Sequence, residues 1–361
     1  MKSNALPAAF AAATVVIIST LSASAQAPRE FNVTVAAGQA TRAMRPLEMV
    51  GQTFIPDVEK RIKAAGLNIK INWKEAYAGS LLKPTFVLEG VKDGIADIGF
   101  EPTIFHPDKL PLENITFATP FVTSDVGLVG RVMNTLHRTV PEYTTMYDRF
   151  NVVRLGGASY DSYEMFTTFP VRKFEDMKGR KIATAGAALQ WIRGTGATPV
   201  SSNMMEYYNS TKTGVVEGFI IFPSAVQGLK YPEAAPYLTQ VGFGAQYAAA
   251  LIVNKATFNK YPPELQKILR DAGEAWGAAA DTEMLNAGEA GAKAVPGFPK
   301  GEVFAFPPEE RAKWAQAMPN IAKEWAQRVD QGGLPGGKVL TIYMDEMRKA
   351  GARPARDWDK E

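Results

Sequence analysis

The sequence predicts an α/β fold in two lobes, on three observations. Short β-branched runs alternate with helix-spaced segments near the N-terminus, the alternation restarts after Asn151, and beyond Pro262 the chain becomes long, Ala-rich and helical. Strand, helix, strand, helix, strand in succession is the pattern of a parallel sheet covered on both faces.

Taken in order, Lys2 is followed by the apolar stretch Ala5 to Leu21 and then by small residues, the layout of a secretory signal peptide with cleavage expected after Ala25, a second small-x-small site ending at Ala27 being the alternative. The stretch is short for a membrane span, which needs about 20 residues. Phe31 to Ala36 reads as a strand, Met44 to Ala65 as a helix stopped by Gly66, and Leu67 to Trp73 as a second strand. Leu81 to Lys92 then reads as a helix ended by Gly94, with Ile95 to Phe100 a short apolar strand.

After Asn151, Val152 to Gly157 and Lys181 to Ala183 read as strands, Ala187 to Gly194 as a short helix, and Val216 to Phe222 as a buried strand. The segment from Pro262 is a long helix, and Pro308 opens another through Arg328; both are expected to pack across the two lobes. Gly332 to Gly337 and the C-terminal tail look linker-like. The expected organisation is a signal peptide at 1–25, one lobe from 28–158 plus 246–285, the other from 159–245 plus 286–345, and a tail at 346–361.

Composition excludes several classes. A net charge of +3 over 361 residues, with Lys and Arg scattered, argues against nucleic acid as a partner. There is no cysteine, and the histidines are only His106 and His137, so a metal centre lacks ligands and none is expected. No Gly-x-Ser-x-Gly elbow, phosphate-cradling Gly-x-x-x-x-Gly-Lys-Ser/Thr loop or Gly-x-Gly-x-x-Gly turn is present, so no catalytic residue and no cofactor is assigned. An exported, chemically quiet protein of two lobes is suited to closing a cleft on a small molecule by hinge motion.

Five further stretches carry a resemblance: Gly79-Ser80-Leu81 leading to Leu88–Phe100 (LEGVKDGIADIGF), Ile115–Phe121 (ITFATPF), Phe174–Thr184 (FEDMKGRKIAT), Gly196–Val200 (GATPV) and Lys260–Gly273 (KYPPELQKILRDAG). Together they resemble the DctP-type solute-binding proteins of tripartite ATP-independent periplasmic (TRAP) transporters, along nearly all of the mature chain. The resemblance implies a periplasmic binding protein of two α/β domains, with crossing strands, a long helix packed across both and a ligand cleft between them. It implies a receptor, often monomeric and sometimes dimeric in the family and expected here as a monomer, that closes on an organic acid and hands it to the membrane subunits of the transporter.

The family usually follows Lys-Gly-x-Lys-Ile with an arginine that grips the ligand carboxylate, and here that position is Ala183. Alanine offers none of arginine's charge-assisted hydrogen bonds. A second basic position aligns near Tyr163, and a polar one falls among Phe219, Ile220, Ile221 and Phe222, so the pocket is expected to have exchanged charge for apolar surface. Tyr163, Trp191 and Tyr160 are candidate lining residues, as are Phe219 and Phe222. Lys83, at an expected helix start, is the first candidate for the carboxylate, followed by Arg154, Arg193 and Arg45. Glu101 aligns with a position that faces the ligand in sialic-acid-binding relatives and is expected to accept a hydrogen bond or fix Lys83. The expected ligand is a small organic acid with an aromatic or apolar body; a neutral or zwitterionic solute is the alternative, and a periplasmic enzyme the remote one.

Overall fold

The computed structural model describes Met1 and residues 27–361. The expected signal peptide, Met1 apart, lies outside the described residues. The strands are β1 (Arg29–Ala36), β2 (Ile69–Ala76), β3 (Ile98–Pro102), β4 (Val152–Tyr160), β5 (Glu164–Thr167), β6 (Lys181–Thr184), β7 (Thr198–Ser201), β8 (Gly218–Ile221), β9 (Tyr237–Gln240), β10 (Gln246–Asn254) and β11 (Glu302–Ala305). They form two sheets, one of five strands in the order β2-β1-β3-β10-β4 and one of six in the order β11-β9-β5-β8-β6-β7. The first sheet defines the first lobe and the second sheet the second.

Both sheets are mixed rather than parallel. In the first, β1 runs parallel to β2 and β3, while β10 is antiparallel to β3 and β4. The second likewise sets β5 antiparallel to β8 and β9. The reversals come from strands that cross between lobes: the chain leaves the first sheet after β4 to begin β5, and returns after β9 to form β10. Residues 152–157, where the alternation restarts in the sequence, therefore belong to the first sheet. Strand β10 is buried at every position, which matches its near-continuous apolar run.

The long helix Pro263–Ala294 joins the parts. Its Gly273 and Gly277 meet Gly156 and Gly157 of β4 backbone to backbone; a methyl group on Gly277 would stand 2.2 Å from the Gly157 carbonyl oxygen, and one on Gly156 2.0 Å from that of Gly273. Farther along, Gly288 lies against the Asp161 carboxylate and Gly291 against the Pro223 carbonyl, at the second lobe. Alanine normally favours a helix over glycine by about 1 kcal/mol. At Gly277 the overlap reverses the sign, and Gly277→Ala is expected to cost about 1–3 kcal/mol, measurable as a lower denaturant midpoint.

Three expectations change. Leu81–Lys92 is not one helix: Lys83 is extended, as a residue before proline tends to be, and a 3-10 turn at Pro84–Phe86 leads into a helix at Val87–Lys92. Pro308–Arg328 divides into Pro308–Ala317 and Ile321–Gln331, with Met318 extended before Pro319. The linker-like glycines end in a helix, Gly336–Lys349.

The tail beyond that helix is docked. Trp358 is fully buried and its indole N–H donates to the Pro120 carbonyl at 2.8 Å. Arg356 lies over the Trp358 ring, 4.4 Å from its centroid, and donates to the carbonyls of Ala315 and Met318 at 2.8 and 2.7 Å. The Ala355 amide donates to the carbonyl of Phe121, whose φ of 66° is left-handed, and the Phe121 amide donates to the Phe243 carbonyl on the returning crossover. The tail thus braces the back of the crossing segments.

Candidate ligand-binding cleft

The loops that follow strands of both sheets converge on a cavity of about 720 Å³ between the lobes. The first lobe contributes the loop after β1, with Gly38, Gln39 and Arg42, the turn at Lys83–Thr85, and Ile104 and Phe105 after β3. The second contributes Ala185 after β6, Asn203–Met205 and Tyr207 after β7, and Ile221, Phe222 and Leu229 at and beyond the end of β8. Tyr160 and Tyr163, on the outgoing crossover, also line it. Gly38 lets two first-lobe loops touch: any Cβ there would lie 2.1 Å from the Pro84 nitrogen, so a side chain would displace the turn that carries Lys83.

Aromatic rings set the shape. Phe222 packs against Tyr160 and Tyr163 with centroids 4.8 and 5.3 Å apart. Against this surface stand two exposed cations, Arg42 and Lys83, whose side chains make no hydrogen bond or ion pair among the described residues. Tyr160 Oη and Gln39 Oε1 are buried without hydrogen-bond partners, while the buried Tyr207 hydroxyl lies beside the Thr184 hydroxyl. Burial raises the pKa of both tyrosines, which keeps the hydroxyls neutral. A largely apolar cavity with two unpaired cations at one wall is equipped to bind an anion with an apolar body.

A family model for bacterial extracellular solute-binding proteins, family 7 (DctP), matches residues 59–328. The chain belongs to that family. A solute-binding protein of Sulfitobacter sp. (strain NAS-14.1) is 25% identical over 297 residues, which cover 81% of this chain and 85% of the relative. Among solved structures, a TRAP periplasmic solute-binding protein from Desulfovibrio salexigens, in an open complex, superimposes with a TM-score of 0.76 at 22% identity, covering 88% of this chain and 96% of that one. A TRAP solute-binding protein from Rhodoferax ferrireducens, in complex with copurified benzoate, gives a TM-score of 0.75 at 19% identity, covering 89% and 98%. These structures share the two-lobed fold. The family is one of receptors, not enzymes, and no helix among the described residues is long and apolar enough to cross a membrane.

Within this family 7 fold, the residues singled out from the sequence separate into two layers. Lys83, Tyr160, Tyr163 and Phe222 line the cavity. Trp191 and Phe219 are fully buried behind it. The Trp191 indole donates to the Phe117 carbonyl at 2.7 Å, and its ring backs Tyr163 edge-on at 5.5 Å. Phe219 stacks on Phe166 and on the lining residue Tyr207, at 5.7 and 4.9 Å. Ala183 is buried within β6, paired with Val200 and Phe219, and the cavity begins only at Ala185.

Glu101 faces away from the cavity and does not fix Lys83. It is buried in β3 near the helix Val87–Lys92, and burial raises its pKa well above the carboxylate range; Oε1 stands 3.3 Å from Nε2 of His106, off hydrogen-bond geometry. The other basic candidates are occupied. Arg45 pairs with Glu48 and, at 2.5 Å, with Glu283. Arg193 pairs with Glu324 at 2.6 Å, and Arg154 donates to Asn134 at 2.7 Å and to the Tyr247 hydroxyl. Lys83 precedes a 3-10 turn and a six-residue helix, so the helix dipole adds little to its charge.

Arg42 was not legible as a site residue by motif. Position could have found it, because ligands of open α/β sheets bind beyond the carboxyl ends of strands, and the loop after β1 is such a place.

Three buried carboxylates lie near the crossovers. Asp161 accepts from the Ser224 hydroxyl and amide at 2.6 and 3.0 Å, Glu164 from the Gly242 amide at 2.7 Å, and Asp281 from the Ser159 amide at 2.6 Å. Burial raises them to about 7, about 8 and about 8 respectively, only partly offset by these hydrogen bonds and, for Glu164, by Arg311. Since the folded-state values exceed those of the unfolded chain, the stability they contribute is present at low pH and lost as pH rises through the folded values. Buried His106 and His137, whose pKa values are depressed, oppose this only below about pH 6.5. The melting temperature is therefore expected to fall from about pH 6.5, where the opposing histidine effect ends, to about pH 8 and to level off above it, and Asp281→Asn to flatten that slope. An unchanged slope in the variant would refute the assignment.

Proposed function

We propose that this protein is a periplasmic receptor that closes its cleft on a small organic acid with an aromatic or otherwise apolar body and delivers it to the membrane subunits of a TRAP transporter. The observation that carries this reading is the pairing of Arg42 and Lys83, both without protein partners, with a wall built from Tyr160, Tyr163, Phe222, Ile221 and Phe105. The carboxylate meets the two cations, and the body of the ligand packs on the rings. Burying about 150–250 Å² of apolar ligand surface is worth roughly 4–6 kcal/mol, part of which offsets closure. Benzoate in the Rhodoferax relative agrees with such a ligand.

The test is a thermal-shift panel on the mature chain with aromatic acids, aliphatic monocarboxylates, sugar acids and neutral solutes. Ligand at about 100 times its dissociation constant should stabilise by roughly 2.7 kcal/mol. Shifts from apolar monocarboxylates, abolished when the carboxylate is converted to an amide, support the reading. Shifts from amides and acids alike would replace it with a receptor for neutral solutes.

A further inference from the structure

A second cavity, of about 510 Å³, lies beside the ligand cleft and shares none of its lining residues. The same two loops border both. After β3, Ile104 and Phe105 line the cleft, and Pro107, Asp108 and Lys109 line the second cavity. After β6, Ala185 lines the cleft, and Gly186, Ala187 and Gln190 line the second cavity. The partition is the close approach of Gly186 to Ile104: at a φ of 50°, a Cβ on Gly186 would lie 2.6 Å from the Ile104 carbonyl oxygen. The helix Ile321–Gln331 and the turn after it complete the enclosure.

The buried part of this lining is apolar, and the exposed part is largely cationic. Trp325, Ile321, Val329 and Leu334 are buried and Phe150 is half-buried. The Trp325 indole donates to the Pro111 carbonyl at 3.0 Å, which fixes the ring in place. Two lining guanidinium groups carry charge that no carboxylate cancels by an ion pair. Arg328 is exposed, and its side chain makes no hydrogen bond or ion pair among the described residues; Glu324, one turn earlier on the same helix, is held by Arg193 at 2.6 Å. Arg149 donates to the carbonyls of Gly332 and Gly333 at 3.3 and 3.2 Å, neutral acceptors that leave its charge unopposed. Lys109 is paired with Glu89, and Asp108 is the only carboxylate among the described lining residues.

Cavities of about 300–1,000 Å³ are the size that small molecules occupy. An apolar body gains by leaving water against Trp325, Phe150 and Leu334. An anionic group gains charge-assisted hydrogen bonds from guanidinium groups that have only neutral partners or none. A cation would meet like charge instead. We infer that this cavity is a second binding site, for an amphiphilic organic anion: one carboxylate, sulfonate or phosphate on an apolar body, with the anionic group on Arg328 and Arg149 and the body against Trp325. The inference does not depend on which solute the cleft takes.

The experiment is a fluorescence titration of the mature chain with 8-anilinonaphthalene-1-sulfonate and with N-phenyl-1-naphthylamine, the same ring system without the sulfonate. A sulfonate site is expected to persist in the Arg42→Ala/Lys83→Ala variant, with an affinity within about twofold of its value in the parent, because the two cavities have no lining residue in common. In that background Arg328→Glu reverses a charge without breaking any hydrogen bond or ion pair of the arginine side chain, and is expected to weaken the site by about tenfold or more. Ala187→Phe places a ring in the cavity without altering charge, and is expected to weaken it by a similar factor. The uncharged amine is expected to bind at least about tenfold more weakly than the sulfonate. Sulfonate binding that is absent from the parent, or that disappears with the cleft cations, would overturn the inference. So would a loss below about threefold in either Arg328→Glu or Ala187→Phe, or equal binding of sulfonate and amine. The organic-acid reading of the cleft stands or falls on the thermal-shift panel, separately from all of these outcomes.

Discussion

Replacing Arg42 and Lys83 together with alanine is expected to weaken binding of the cognate acid by about a hundredfold or more, with little change in the stability of the unliganded protein. A hydrogen bond to a charged group is worth about 1.5–3 kcal/mol, and each 1.4 kcal/mol is a factor of ten. Two such contacts would give a larger loss, but both side chains are exposed in the unliganded cleft, and solvent screening reduces the lower bound. Neither side chain makes a hydrogen bond or ion pair with another described residue, so the unliganded melting temperature serves as the control. Arg42→Lys should recover only part of the loss, because lysine supplies the charge without the planar fork. Calorimetry that found the double variant binding as tightly as the parent would remove the anion site from this cleft.

The second large effect lies far from the ligand. Trp358→Ala is expected to lower unfolding free energy by about 3–5 kcal/mol, read from the denaturant midpoint at constant slope. Trp358 is fully buried, anchors its N–H on Pro120 and carries the Arg356 guanidinium on its ring. Removing the indole empties a large site and leaves the Pro120 carbonyl without its donor. A loss below about 1 kcal/mol would mean that the tail rests on the surface and contributes nothing to the hold on Phe121.

What could be read in advance followed periodicity. Strands β1 and β2 and the long helix declare themselves through spacing that does not depend on distant partners. The direction of β10 is a non-local property: its run of apolar residues reports burial but not which neighbours bury it. The break at Pro319 was local and could have been seen, since proline removes a donor and constrains the residue before it.

The cavity was less legible for the same reason. Aromatic residues near the pocket share one composition whether they line it or support it, and only packing distinguishes Tyr163 from Trp191 behind it. Alignment to a family pattern pointed to Ala183 and Glu101 because those positions hold ligand elsewhere. In this chain one free cation, Lys83, stands where the sequence pointed, and the other, Arg42, stands on a loop that no motif marks.

The seam between β4 and the long helix also governs how the cleft can move. Along Gly156–Gly157 and Gly273–Gly277 main chain rests on main chain, with no flexible side chain between them to act as a bearing. The first sheet and this part of the helix consequently turn as one stiff plate. In the receptor proposed above, the torsion of opening would fall on residues 161–163 and 241–245 and where the helix runs on past Gly288, so that release of solute would be timed by a handful of backbone rotations, much as a door depends on its pins and not on its panel.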